Sequence, residues 1–127
     1  MLNNILKKLR GMTMTGLKTE QLSADFSCTT QISVADIAQI AAQGFKTIVN
    51  NRPDGEGGAG QPTSAQLQAE AEKHGIVYIH IPVVPGGITA EHVALLRQCL
   101  ETAPKPVLGF CKSGRRASSL YQMASGR

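Results

Sequence analysis

Tryptophan is absent from the 127-residue chain, and the aromatic complement stops at two tyrosines and three phenylalanines. Surfaces that stack nucleic-acid bases are built from such side chains, so that class of function is disfavoured. No apolar run approaches bilayer-spanning length. The first ten residues, Met1 to Arg10, hold too short an apolar stretch for a secretory signal, which makes a reducing cytoplasm the expected compartment. Cysteine is scarce as well. Cys28, Cys99 and Cys111 are widely spaced and odd in number, and none falls in a Cys-x-x-Cys or Cys/His zinc spacing. That argues against a disulfide framework and gives no metal site. No cofactor is implied.

Acidic residues are missing from both ends of the chain. Residues 1–18 carry Lys7, Lys8, Arg10 and Lys18, and residues 111–127 carry Lys112, Arg115, Arg116 and Arg127, with no Asp or Glu in either stretch. The five basic and nine acidic residues between them make the body mildly acidic, although the whole chain is +4. Nucleic-acid binding calls for a continuous basic stripe, which is not seen. A basic cluster beside Cys111 suits a small anionic substrate better.

What the chain does have is an alternation of strands and helices, with no repeat and no low-complexity block. A strand is expected from Phe26 to Ile32, then a helix opened by Ser33 and Asp36 and stopped by Gly44. A second strand covers Lys46 to Asn50, followed by the loop 51–62. A helix opened by Thr63 and Gln66 leads to a third strand at Ile76 to Ile81 and the loop 82–88. Thr89 caps a helix with Val93, Leu96 and Leu100 on one face, and Pro106 to Phe110 forms an apolar fourth strand. Gly114 turns the chain into a last helix with Ala117, Leu120 and Tyr121 inward. This order predicts an α/β fold with a mostly parallel sheet of four to five strands flanked by helices. Residues 1–18 form a basic extension and residues 19–127 a single domain. The three loops 51–62, 82–88 and 111–116 fall at the carboxyl ends of strands, where such sheets bind ligands, and should converge.

Cys111 is the leading candidate for catalysis. Cys111-Lys-Ser-Gly-Arg-Arg116 lies between a buried strand and a helix. Gly114 permits a tight turn, successive amides form an anion nest, and the helix adds its positive end. Arg116 can grip an oxyanion with two bonds. These features favour a thiolate nucleophile. Lys112 and Arg115 are expected to attract an anion, and Ser113 to hydrogen-bond the sulfur. The loop resembles the nucleophile loop shared by cysteine phosphatases and rhodanese-type sulfurtransferases.

More of the chain, from about Leu22 to Met123, resembles the bacterial beta-lactamase hydrolase-like protein, phosphatase-like domain family, whose members are also called rhodanese-like sulfur transferases. The matching stretches are Gln31-Ile-Ser-Val-Ala-Asp36, Gly44-Phe-Lys-Thr-Ile-Val-Asn-Asn-Arg-Pro-Asp-Gly-Glu56, His80-Ile-Pro-Val-Val-Pro-Gly-Gly-Ile-Thr89 and Val107-Leu-Gly-Phe-Cys-Lys-Ser-Gly-Arg-Arg116. The resemblance implies a fold like that of dual-specificity phosphatases (phosphotyrosine phosphatase II-like). A separate persulfide-oxidising enzyme is an implied partner. Family members usually continue further, so the domain is expected to be short at its C-terminus. The last helix face, Leu120 and Met123, would then be open to dimerisation.

The sequence departs from a phosphatase pattern in its loop. A Cys-x5-Arg spacing would put arginine at position 117, which is Ala117; the spacing is Cys-x4-Arg, as in rhodaneses. Phe110 stands where phosphatases carry His, and Ala117 where they carry Ser or Thr. The loop 82–88 has no acid to protonate a leaving oxygen, whereas sulfite or a low-pKa thiolate leaves with little protonation. The expected activity is therefore sulfur transfer through a Cys111 persulfide, from a donor such as thiosulfate or glutathione persulfide. The alternative is a phosphatase working through a Cys111 phosphocysteine, with Asp54 or Glu56 as acid and Arg52 as a second anion contact. The third reading is a non-catalytic anion or persulfide binder. Cys28 and Cys99 read as core residues, His80 as a satisfied strand-end histidine, and His74 and His92 as surface helix residues. The stripe Leu2, Ile5, Leu6 and Leu9 belongs to an N-terminal extension.

Overall fold

The computed structural model describes residues 17–126. Among them, five strands make one sheet and four α-helices flank it. In chain order they are β1 Thr19–Ser23, β2 Phe26–Thr29, α1 Asp36–Ala42, β3 Thr47–Asn50, α2 Ser64–Lys73, β4 Val77–His80, α3 Ala90–Thr102, β5 Val107–Phe110 and α4 Arg115–Ser125. A 3₁₀ turn at Gly58–Gly60 precedes α2. The strands lie in the order β1-β2-β5-β3-β4, with β1 antiparallel to β2 and all other pairs parallel. This is the α/β arrangement expected. Apart from Leu17 and Lys18, the basic extension and its leucine stripe lie outside the described residues.

Local sequence accounts for most boundaries. Thr63 and Gln66 form the expected reciprocal capping box at the start of α2, and Thr89 forms one with His92 at α3, where the imidazole Nδ1 accepts in place of a carboxylate. Ser33 and Asp36 also bond to each other's backbone N–H, at 3.2 and 2.8 Å, closing a turn that leads directly into the helix, whose first residue is Asp36. β1 was not expected as a strand. Its residues Thr-Glu-Gln-Leu-Ser lie mostly exposed at the sheet edge, so no period-two pattern marks them.

β5 lies at the centre of the sheet and is buried on both faces, as parallel strands are. Its side chains alternate between two cores. Val107 and Cys111 join one with Phe26, Val49, Leu96 and Leu120; Leu108 and Phe110 join the other with Ile37, Ile40 and Leu67. The expectation of an open Leu120 is corrected here. Its side chain is fully buried, because α4 packs on α3 and the sheet through Ala117, Leu120 and Ala124, and of the two residues Met123 alone is exposed.

Gly109 interrupts the apolar run of β5 for a packing reason. A Cβ there would come within 2.7 Å of Phe26 Cζ, and that ring is stacked on Tyr121 at 4.3 Å. Gly109→Ala is expected to lower stability by about 1–3 kcal/mol through overpacking. An unchanged urea midpoint would contradict this.

Candidate active site

β5 delivers Cys111 to the middle of the sheet's carboxyl edge, and α4 begins four residues later. The thiol is wholly buried, and its Sγ accepts the Gly114 backbone N–H at 3.1 Å. Gly114 has φ +90°, a left-handed conformation that side chains resist, and a Cβ there would sit 3.4 Å from the Thr29 carbonyl. Its freedom is what points the amide at sulfur. Ser113, expected to bond the sulfur, is exposed instead, and its hydroxyl accepts the Arg115 N–H. Lys112 and Arg115 are exposed on the loop. Arg115 also lines a cavity of about 480 Å³ on the loop's outer flank, together with Lys18, Thr29 and Ser118.

The three predicted loops converge, and Arg116 ties them. Its Nη1 donates to Glu56 Oε2 and to the Val83 carbonyl, both at 2.8 Å, and its Nη2 donates to Glu56 Oε1 at 2.8 Å. A guanidinium has five N–H bonds, so Nε–H and one Nη2–H are left outside these contacts. Arg52 holds the same carboxylate, its Nε also 2.8 Å from Oε1, and its Nη1 reaches Gln31 Oε1 at 3.0 Å. Arg52 is thus buried and bonded to Glu56 and Gln31. Asp54 accepts the Ser64 N–H at the start of α2 through one carboxylate oxygen.

Hydrogen bonds from Arg116, reinforced by those from Arg52, lower the Glu56 carboxyl from its ordinary 4.5 to about 2. The same pairing with Glu56, with Cys111 close by, raises Arg116 further. Because the folded value is the depressed one, this stabilisation is complete above about pH 4.5 and fades as pH falls toward 2. Wild type should therefore lose more stability across that window than Glu56→Gln, measured by urea unfolding at each pH. Identical pH profiles would contradict the clamp.

Several contributors were not singled out from sequence. Asn51 N–H donates to the Phe110 carbonyl at 2.8 Å and Asn51 Nδ2 to the Ile81 carbonyl, while the Asn51 carbonyl accepts from Val83 N–H. One buried residue thus spans the three loop bases, through its backbone and its side chain. The signal was present: an Asn-Asn pair ending an apolar parallel strand must satisfy its polar groups internally. His80 Nε2 lies 2.9 Å from the Arg52 carbonyl and supports the same loop. Cys28 and Cys99 are buried, and burial pushes both thiols up. Among the described residues, no group of three or more His, Cys, Asp or Glu is placed to hold a metal, and no helix is long and apolar enough to cross a membrane.

A mostly parallel sheet covered by helices on both faces, with its central strand ending on a cysteine loop and an arginine on the following helix, defines a phosphatase-like α/β domain. The chain belongs to the family described as beta-lactamase hydrolase-like protein, phosphatase-like domain, whose profile matches residues 18–126. It is 37% identical over 105 residues to the beta-lactamase hydrolase-like protein of Agrobacterium fabrum, a match covering 83% of this chain and 24% of that protein. The chain thus spans about a quarter of the length of the curated relatives it matches. Among solved structures, it resembles a candidate phosphatase from Neisseria meningitidis, with 37% identity, a TM-score of 0.74, and coverage of 80% of this chain and 72% of that one. P. aeruginosa TpbA, solved as a cysteine variant with phosphotyrosine, shares the fold at 16% identity and TM-score 0.61, covering 83% of this chain and 62% of its own.

Proposed function

We propose that the domain is a cysteine-dependent phosphatase in which Cys111 attacks a phosphoryl group and carries it as phosphocysteine. The observation that carries this reading is the position of Sγ, which accepts a loop amide and lies close to a guanidinium whose outer edge is already fixed by Glu56 and Val83. Loop amides and the remaining N–H bonds of Arg116 stabilise the charge that develops on the transferred group. Glu56 is a positioning residue here, since its carboxylate is ionised and committed to two arginines. The phosphatase-like relatives weigh in the same direction, toward the alternative of the sequence analysis rather than its first expectation. The substrate is a small anion, and the expected compartment is the cytoplasm.

A second reading, sulfur transfer through a Cys111 persulfide, keeps support from one feature, the four residues between Cys111 and Arg116. Phosphate release from p-nitrophenyl phosphate, run beside thiocyanate formation from thiosulfate and cyanide, separates the two. The phosphatase reading expects phosphate release that is lost in Cys111→Ser. Thiocyanate formation without phosphate release would overturn it.

A further inference from the structure

We infer that the site works without a general acid and so acts on phosphate monoesters whose leaving group is stable as an anion, aryl esters above all. This rests on the phosphatase reading and narrows its substrate class. The nine acidic side chains of the chain are Glu20, Asp25, Asp36, Asp54, Glu56, Glu70, Glu72, Glu91 and Glu101, and only Asp54 and Glu56 belong to the three loops around Cys111. Glu56 stays ionised and gripped by Arg52 and Arg116. Asp54 is bonded to the start of α2.

The histidines offer no donor at the thiol either. His74 pairs with Glu70, His92 closes the α3 capping box, and His80 lies against the Arg52 carbonyl. Residues 1–16, outside the described region, contain no Asp, Glu or His. The lip that the loop 82–88 offers beside Arg116 is apolar instead. Next to Val83, whose carbonyl holds Arg116, Val84 is 58% exposed and Pro85 is also exposed. An aromatic ring can lie on that lip; a proton cannot come from it.

The chemistry balances without a donor. Cys111 Sγ forms a bond to phosphorus as the P–O ester bond breaks. The aryloxide departs with the bonding pair and takes its proton from water. Water then attacks the phosphocysteine, the S–P bond breaks, and the thiolate and inorganic phosphate are released. Unassisted departure makes the first step depend steeply on the acidity of the leaving phenol.

The test is kcat/KM, which reports the first step, across aryl phosphates whose phenols span a range of acidity, with an alkyl phosphate as the poorest member. The expected loss approaches roughly tenfold for each unit rise in phenol pKa, with the alkyl ester inert. Glu56→Gln is expected to lower the whole series evenly and leave the slope unchanged. A shallow slope in wild type, or a Glu56→Gln loss concentrated on the poorer leaving groups, would overturn the inference while leaving the phosphatase reading standing. Cys111-independent turnover, or none for any ester, would remove that reading and the substrate class with it.

Discussion

Cys111→Ser is expected to cut turnover by roughly 10⁴- to 10⁶-fold, the scale seen when a nucleophile that forms a covalent intermediate is removed. The serine hydroxyl fits the same buried position, so folding should survive. A hydroxyl is a far weaker nucleophile than a thiol, and the Gly114 amide then faces oxygen instead of sulfur. Residual activity within tenfold of wild type would mean that Cys111 is only a buried core thiol. A urea midpoint close to wild type would confirm that the loss is chemical, since Cys111 packs with Val107, Ala117 and Leu120 in one continuous core.

Arg116→Lys is expected to lower kcat/KM by roughly 10²- to 10³-fold, comparable to losing a preorganised oxyanion donor. Charge is kept, but the planar fork is not. Lysine cannot make the two parallel bonds to Glu56, reach the Val83 carbonyl and still present an N–H pair beside Sγ. Glu56 would keep only its Arg52 partner, so the loop 51–62 would also lose its tie to α4. The effect should therefore exceed that of simple charge weakening and should persist at high salt. A variant that recovers wild-type rates would contradict a geometric role for Arg116.

The element order was legible because each boundary carries a local mark. Thr63 with Gln66 opens one helix, and short apolar runs such as Val107 to Phe110 mark strands buried on both faces. β1 carried no such mark, since its exposed polar residues are held by pairing with β2 rather than by a buried stripe. The convergence of three loops followed from topology alone. The bond from Arg116 to Glu56 joins residues far apart in the chain, and no local pattern predicts that the carboxylate serves the arginine instead of a leaving group. The same limit applies to Ser113. The Gly114 turn and its inward amide were legible, while the hydroxyl expected at sulfur accepts the Arg115 N–H instead. The short Cys-x4-Arg loop and the acid-free loop 82–88 point to sulfur transfer when taken alone, whereas the family match and solved relatives favour phosphatase chemistry.

The measurement that bears most directly on the central claim is the intact mass of the protein, quenched in acid during turnover of p-nitrophenyl phosphate and compared with a sample exposed to thiosulfate. A phosphocysteine adds about 80 Da and a persulfide about 32 Da, and each requires a Cys111 nucleophile. The account predicts the heavier adduct with the aryl phosphate, mapped to Cys111 and missing from Cys111→Ser. The lighter adduct alone, formed from thiosulfate and cleared by cyanide, would contradict it.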